Sequence, residues 1–265
     1  MKYFYGTHFE DAKPRFWKSW SFISSAAAED FRQLAGSGKL RRDGGEPVIW
    51  QTQQKYVLKV SCGNRSYAYK SYTRIRQKRK YLFRLSPCGL EAKNYQRFQD
   101  IGMPMAELAA VGEKRFFCLI RDMFFMTKFA ENFNDGRVFG YGGELRRNKE
   151  LRDEFIRRNL LLLAKCHDSG YLHGGFTPAN ILWHLREEPD AEGNRLDLCW
   201  IDVATARKLS IFHPAKILAD DPAHFFRFLG AEENELREYL QLYYDALEIK
   251  RLPFDRLCKE VKNRI

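Results

Sequence analysis

Four polar residues of this 265-residue chain, Lys70, Glu91, Asn180 and Asp202, fall in an order that suits the handling of a phosphate group. Phosphoryl transfer is mostly positioning and charge neutralisation. It calls for a cation on the phosphates and for oxygen donors on magnesium, an ion that takes few of its ligands from protein. Lys70 is the candidate cation, and Glu91 is placed to pair with it and hold it extended. Asn180 and Asp202 are the candidate magnesium ligands. Taken singly, each has an ordinary explanation: a strand Lys usually faces solvent, Glu91 near a helix start favours the helix dipole, and Asp202 at a strand end can cap a turn. The joint order is what points to chemistry.

The stretch Leu172-His173-Gly174-Gly175-Phe176-Thr177-Pro178-Ala179-Asn180 sharpens this reading. Loops that catalyse phosphate transfer in kinases run H-x-D-L-x-x-x-N, where the Asp takes or orients the acceptor proton and the Asn holds magnesium. His173 and Asn180 have that separation, but Gly175 stands where the usual Asp would be. Losing a positioned base costs roughly 10²- to 10⁴-fold in rate. Asp168 is near in sequence, yet it should end a helix and is not expected to substitute.

The elements that would carry these residues follow from pattern. Residues 48–51, 56–61 and 67–72 are short β-prone segments, and Cys62-Gly63-Asn64-Arg65 makes a good hairpin turn between the last two. A helix is expected from about Gly89 through Phe98, stopped by Gly102 and Pro104. Apolar strands around 116–120 and 123–129 would complete a unit of five strands and one helix. Beyond a loop at 132–143, residues 148–168 carry Leu151, Phe155, Ile156, Leu160 and Leu163 at helical spacing, with Gly170 as the stop. Strands at 181–185 and 196–202 flank a polar hairpin, and 214–265 reads as helical. The fold class is therefore α+β, a protein-kinase-like bilobal arrangement with a small antiparallel sheet and one helix preceding a mainly helical lobe. The expected domains are an N-terminal extension (1–45, with a helix near 25–34), a nucleotide-binding small lobe (46–130) and a helical catalytic lobe (131–265).

Over residues 48–230 the chain resembles the bacterial lipopolysaccharide core kinase family, the Kdo and heptose kinases. The resemblance rests on the Lys70 strand, on Glu91-Ala92-Lys93-Asn94-Tyr95 and Ile101-Gly102-Met103-Pro104, on the 172–182 loop, and on Ile201-Asp202 with Arg207. It implies ATP and magnesium as cofactors and an inner-core sugar of lipopolysaccharide as phosphate acceptor. The residues implicated are then His173, Gly175, Asn180 and Asp202 at the reaction, Lys70 and Glu91 on the nucleotide, and Asn180 and Asp202 on the metal. Two departures stand out: Gln51-Thr52-Gln53-Gln54 occupies the place of a G-x-G-x-x-G loop, and Gly175 replaces the acid.

Composition limits the alternatives. With 45% hydrophobic and 15% aromatic residues the chain can bury a large core. Six cysteines are scattered without a C-x-x-C pair, so neither zinc nor a disulfide framework is indicated and a reducing cytoplasm is expected. No signal core or membrane span is evident. Forty-five basic against 34 acidic residues give a net charge of +11, which favours anionic partners. The run Arg74, Arg76, Lys78, Arg79, Lys80 and Arg84, interleaved with Tyr81, Leu82 and Phe83, suits either a solvated loop or a contact with sugar phosphate or the inner face of the inner membrane. Nucleic acid is not the expected partner, since no recognised motif accompanies the charge. Three readings stay open: a sugar kinase, a pseudokinase that binds nucleotide or a partner and regulates lipopolysaccharide assembly, and a relative of aminoglycoside or choline kinases with a small soluble acceptor.

Overall fold

The computed structural model describes residues 3–5, 18–22, 25–72, 81, 85–116, 119–210 and 213–265. They divide into two compact units, Met1–Arg97 with Ala106–Ala130, and Phe98–Met105 with Glu131–Ile265. The basic run at 74–80 and 82–84 lies outside the described residues.

The first unit is built on a seven-stranded sheet in the order β1-β2-β6-β7-β5-β4-β3. Its strands are β1 (Tyr3–Tyr5), β2 (Lys18–Phe22), β3 (Val48–Gln51), β4 (Lys55–Cys62), β5 (Arg65–Tyr72), β6 (Leu108–Phe116) and β7 (Leu119–Lys128). Every pairing is antiparallel except β1 on β2. A two-residue turn joins β4 to β5, with Gly63 at φ 59, a left-handed conformation that glycine adopts without a Cβ penalty. Along β5 the side chains alternate. Tyr67 and Tyr69 enter a core with Leu58, Val60 and Met126 and with Ala28, Phe31 and Leu34 of helix α1 (Ser25–Gly36). Phe31 stacks on Phe124 at 4.6 Å. Lys70 falls on the other parity, the one that meets helix α2 (Pro87–Asp100), where Tyr95 packs on Phe125.

Three sequence expectations are revised in this unit. The strand placed at 116–120 spans the end of β6 and the start of β7, and β6 itself runs back to Leu108. Leu108, Ala109, Ala110 and Val111 are all buried, but two of the four are alanines and Gly112 follows, so hydropathy alone understated the strand. Residues 1–45 also contribute β1, β2 and α1 to the unit, which makes seven strands and two helices among the described residues where five and one were expected. Helix α2 starts at Pro87, before the expected Gly89. Ser86 accepts from the Gly89 amide at 3.0 Å, and Pro87 sits in the first turn, where no amide is needed.

The second unit is carried by α3 (Lys149–Asp168), α4 (Asp220–Leu229), α5 (Glu233–Ala246) and α6 (Phe254–Lys262). Asn148 caps α3 by accepting from the Leu151 amide, and the stripe of Phe155, Ile156, Leu160 and Leu163 is fully buried. A small sheet orders β11 (Leu196–Trp200), β10 (Ile181–Leu185) and β8 (Asn134–Asp135). A two-stranded ladder pairs β9 (Tyr171–Leu172) with β12 (Arg207–Lys208). Trp200 is fully buried, and its indole donates to Asn159 at 2.9 Å, so the polar edge of β11 is satisfied inside the core.

Helix α1 is fastened to β5 by Asp30. Its buried carboxylate accepts two bonds from Arg65 (2.6 and 2.7 Å) and one from the Tyr67 hydroxyl (2.5 Å). The Arg65 guanidinium holds the Asp30 pKa below the usual carboxylate range, burial opposes this, and Tyr67 adds to the lowering. Asp30→Ala leaves the Tyr67 hydroxyl buried without its acceptor and is predicted to lower unfolding stability by roughly 1–3 kcal/mol. A urea denaturation midpoint equal to wild type would refute that anchoring role.

Candidate phosphate-transfer site

In the first unit, Lys70 and Glu91 form a buried ion pair. The Lys70 ammonium donates to both Glu91 oxygens, at 2.9 and 3.0 Å, and Glu91 is 1% exposed. The Tyr72 hydroxyl donates to the same carboxylate at 3.4 Å, and the ammonium lies 5.8 Å from the Tyr72 ring centroid. A pair this buried contributes little net stability, because desolvation offsets its attraction. Its presence is better explained by what the ammonium can hold than by stability.

In the second unit, the loop from His173 to Asn180 is held at both ends. At its start, the carboxylate of Asp221 on α4 accepts from the backbone amides of His173 and Gly174, each at 2.8 Å. The same carboxylate lies 3.2 Å from His167 Nε2, and His167 Nδ1 is 2.5 Å from the Tyr243 hydroxyl. Burial would raise the Asp221 pKa, but His167 and the loop amides outweigh it and hold the carboxyl below its ordinary value. At the far end, the Asn180 amide donates to the Gly175 carbonyl at 2.7 Å, which leaves Asn180 Oδ1 as an acceptor.

His173 is fully buried, ringed by Phe98, Phe176 and Trp200 at centroid distances of 5.6–6.1 Å. Neither of its ring nitrogens has a hydrogen-bond partner among the described residues. Burial pushes its pKa down, against the opposing pull of Asp221 and Asp202.

Asp202 follows β11 with a left-handed backbone, φ 56 and ψ 53. It and Asn132 are the two non-glycine residues of positive φ among the described residues. Asp tolerates this region better than most side chains, and such strain clusters where function over-determines the backbone. The Ile201 amide donates to the Asn180 carbonyl at 2.9 Å, so the two candidate metal ligands lie on neighbouring strand ends. One carboxylate and one amide oxygen are hard donors of the kind magnesium takes. No group of three or more His, Cys, Asp or Glu residues suited to a metal is found among the described residues.

Gly175 does not need positive φ; its neighbour Gly174 does, at φ 74. A Cβ on Gly174 would lie 2.5 Å from the Thr205 carbonyl oxygen, whereas one on Gly175 would lie 3.2 Å from the Thr205 hydroxyl and 3.8 Å from the Asn180 amide nitrogen. Asp168 ends α3, and its carboxylate accepts from the backbone amides of Glu248 and Ile249 at 2.9 and 3.1 Å. Two residues that meet the loop, Asp221 and Thr205, escaped sequence reasoning. Asp221 acts on a loop 48 positions earlier, and no local spacing signals that. The only trace is the acidic pair Asp220-Asp221 ahead of Pro222 at a helix start.

The element order and these two sets of residues define a protein-kinase-like fold. Among solved structures, the chain is similar to WaaP in complex with acyl carrier protein, with a TM-score of 0.63 over 92% of this chain and 94% of that one, at 15% identity. That likeness establishes the fold. No protein-family model and no curated protein matches the sequence.

A histidine whose pKa is depressed by folding adds stability above its unfolded value of about 6.5, and that stability is lost as pH falls. Wild type is therefore predicted to lose stability between pH 7.5 and 5.5, and His173→Phe, which keeps the aromatic packing, to lose less. Equal losses in the two urea titrations would exclude His173 as a source of acid sensitivity.

Proposed function

We propose that this protein is an ATP- and magnesium-dependent kinase that phosphorylates an inner-core sugar (Kdo or heptose) of lipopolysaccharide, or a similar anionic sugar-lipid. The buried Lys70–Glu91 pair carries the reading, since it fixes an ammonium at a position where stability does not require one. In this reading Lys70 binds the nucleotide phosphates, Glu91 orients it, and Asn180 and Asp202 hold magnesium. Magnesium supplies charge neutralisation on the phosphate oxygens. His173 packs the start of the loop, and Gly175 occupies the usual place of the acid. Residues 46–130 would be the nucleotide-binding lobe and 131–265 the catalytic and substrate lobe.

An anionic acceptor is supported by the distribution of charge. Residues 1–130 hold 24 basic and 11 acidic side chains, whereas residues 131–265 hold 21 and 23. The excess thus belongs to the first half of the chain, where the 74–84 run would meet sugar phosphate or the inner face of the inner membrane. No helix among the described residues is long and apolar enough to cross a membrane, consistent with peripheral attachment from the cytoplasm.

A second reading is favoured by Gly175: a pseudokinase that binds nucleotide and regulates lipopolysaccharide assembly. The two are separated by magnesium-dependent ATP turnover on purified core oligosaccharide. Wild type is expected to transfer phosphate, and inactive wild type with intact nucleotide binding would favour the pseudokinase. Asp202→Asn retains a residue suited to the left-handed backbone and is predicted to weaken magnesium-dependent nucleotide binding by at least about tenfold, a loss of about 1.4 kcal/mol. Unchanged binding in calorimetry would remove Asp202 from the metal site.

A further inference from the structure

The place left open by Gly175 is bordered by a different polar group, the Thr205 hydroxyl, and the chain is shaped to bring it there. Asp202 turns the backbone through its left-handed conformation into a single 3₁₀ turn, Val203–Thr205. The chain then runs into β12, where Arg207 pairs with Leu172 and Lys208 with Tyr171, directly before the loop. This ladder brings the 203–205 turn against the paired glycines. Gly174, at φ 74, gives room for the Thr205 carbonyl, since any Cβ there would stand 2.5 Å from that oxygen. Gly175 gives room for the Thr205 hydroxyl, 3.2 Å from where a Cβ would begin. An Asp at 175 would extend its carboxylate from that point, so the Thr205 hydroxyl borders the space such a side chain would enter. Thr205 is exposed, and it faces the loop segment whose far end is pinned by Asn180.

We infer that the Thr205 hydroxyl is the acceptor-binding group of this site and stands in for the missing carboxylate by orienting the sugar hydroxyl that attacks. This rests on the phosphotransfer reading above. The step forms a bond between the acceptor oxygen and the γ-phosphorus and breaks the bond from that phosphorus to the β,γ-bridging oxygen. ADP departs with the electron pair, and the acceptor proton passes to an oxygen of the transferred phosphoryl group. Thr205 is too weak a base to remove that proton. Its part is to accept a hydrogen bond from the attacking hydroxyl and fix its direction, which a loose transition state allows. A neutral orienting group gives less acceleration than a carboxylate, so the reaction should be slow and should not depend on the titration of a carboxyl at this position.

The test compares wild type, Thr205→Val, Thr205→Ser and the double variant Gly175→Asp with Thr205→Ala, using Mg·ATP and purified lipopolysaccharide core oligosaccharide. Thr205→Val keeps the shape and removes the hydroxyl. It is expected to lower kcat roughly 10- to 100-fold, with Mg·ATP affinity and thermal midpoint unchanged. Thr205→Ser should restore kcat to within a few-fold of wild type, a rescue that a packing role would not give. The double variant should be active and gain an acid limb in its pH–rate profile that wild type lacks. An active wild type matched in kcat by Thr205→Val would overturn this inference alone. A wild type that binds Mg·ATP and never transfers phosphate would overturn it together with the kinase reading.

Discussion

The second unit depends on one buried carboxylate. Asp221 is fully excluded from water, and an isolated charge there would cost several kcal/mol. It is tolerated because donors converge on it from two directions: the His173 and Gly174 amides from the loop and His167 from α3. Helix, loop and α4 are thereby tied through a single group. Displacing the loop would strip the charge of both amide donors and leave it with His167 alone, so the segment that carries Gly175 and Asn180 has a fixed starting point although it contains almost no regular structure. Tyr243 extends the tie to α5 through His167.

Where local pattern decides structure, it was legible. The stripe of α3, the glycine turn between β4 and β5, and the strand–hairpin–strand of β10 and β11 follow from periodicity and turn chemistry. The fold class followed from their order. Element edges were less legible. Ser86 and Pro87 begin α2 by capping, which apolar periodicity does not register, and β6 was hidden by its alanines and glycine. The N-terminal residues read as an appendage because their contribution to the sheet is set by pairing with β6, about ninety positions away.

The candidate site divides in the same way. Lys70 and Glu91 could be read as a pair because strand parity and helix position both direct them to one side. Asn180 could be placed by its distance from His173. Asp221 and Thr205 could not be found, since each lies against a loop to which no spacing rule connects it. The question of what replaces an absent acid is likewise a question about neighbours in space, and the sequence near Gly175 holds no answer to it.

The seating of Thr205 against two glycines also bears on how such a loop could change over evolutionary time. A Cβ at 175 would stand 3.2 Å from the Thr205 hydroxyl, a tight contact, so acquiring an acid favours the prior loss of the threonine. Any side chain at 174 would collide with the carbonyl of the same residue, whatever its type. Position 174 is thus held by backbone alone, whereas 175 and 205, far apart in the chain, constrain one another through their side chains. A lineage that had settled on glycine, glycine and threonine would return to the acid through single substitutions only by way of a crowded intermediate or one that lacks both the hydroxyl and the acid, and the arrangement would persist as a ratchet rather than as a lapse.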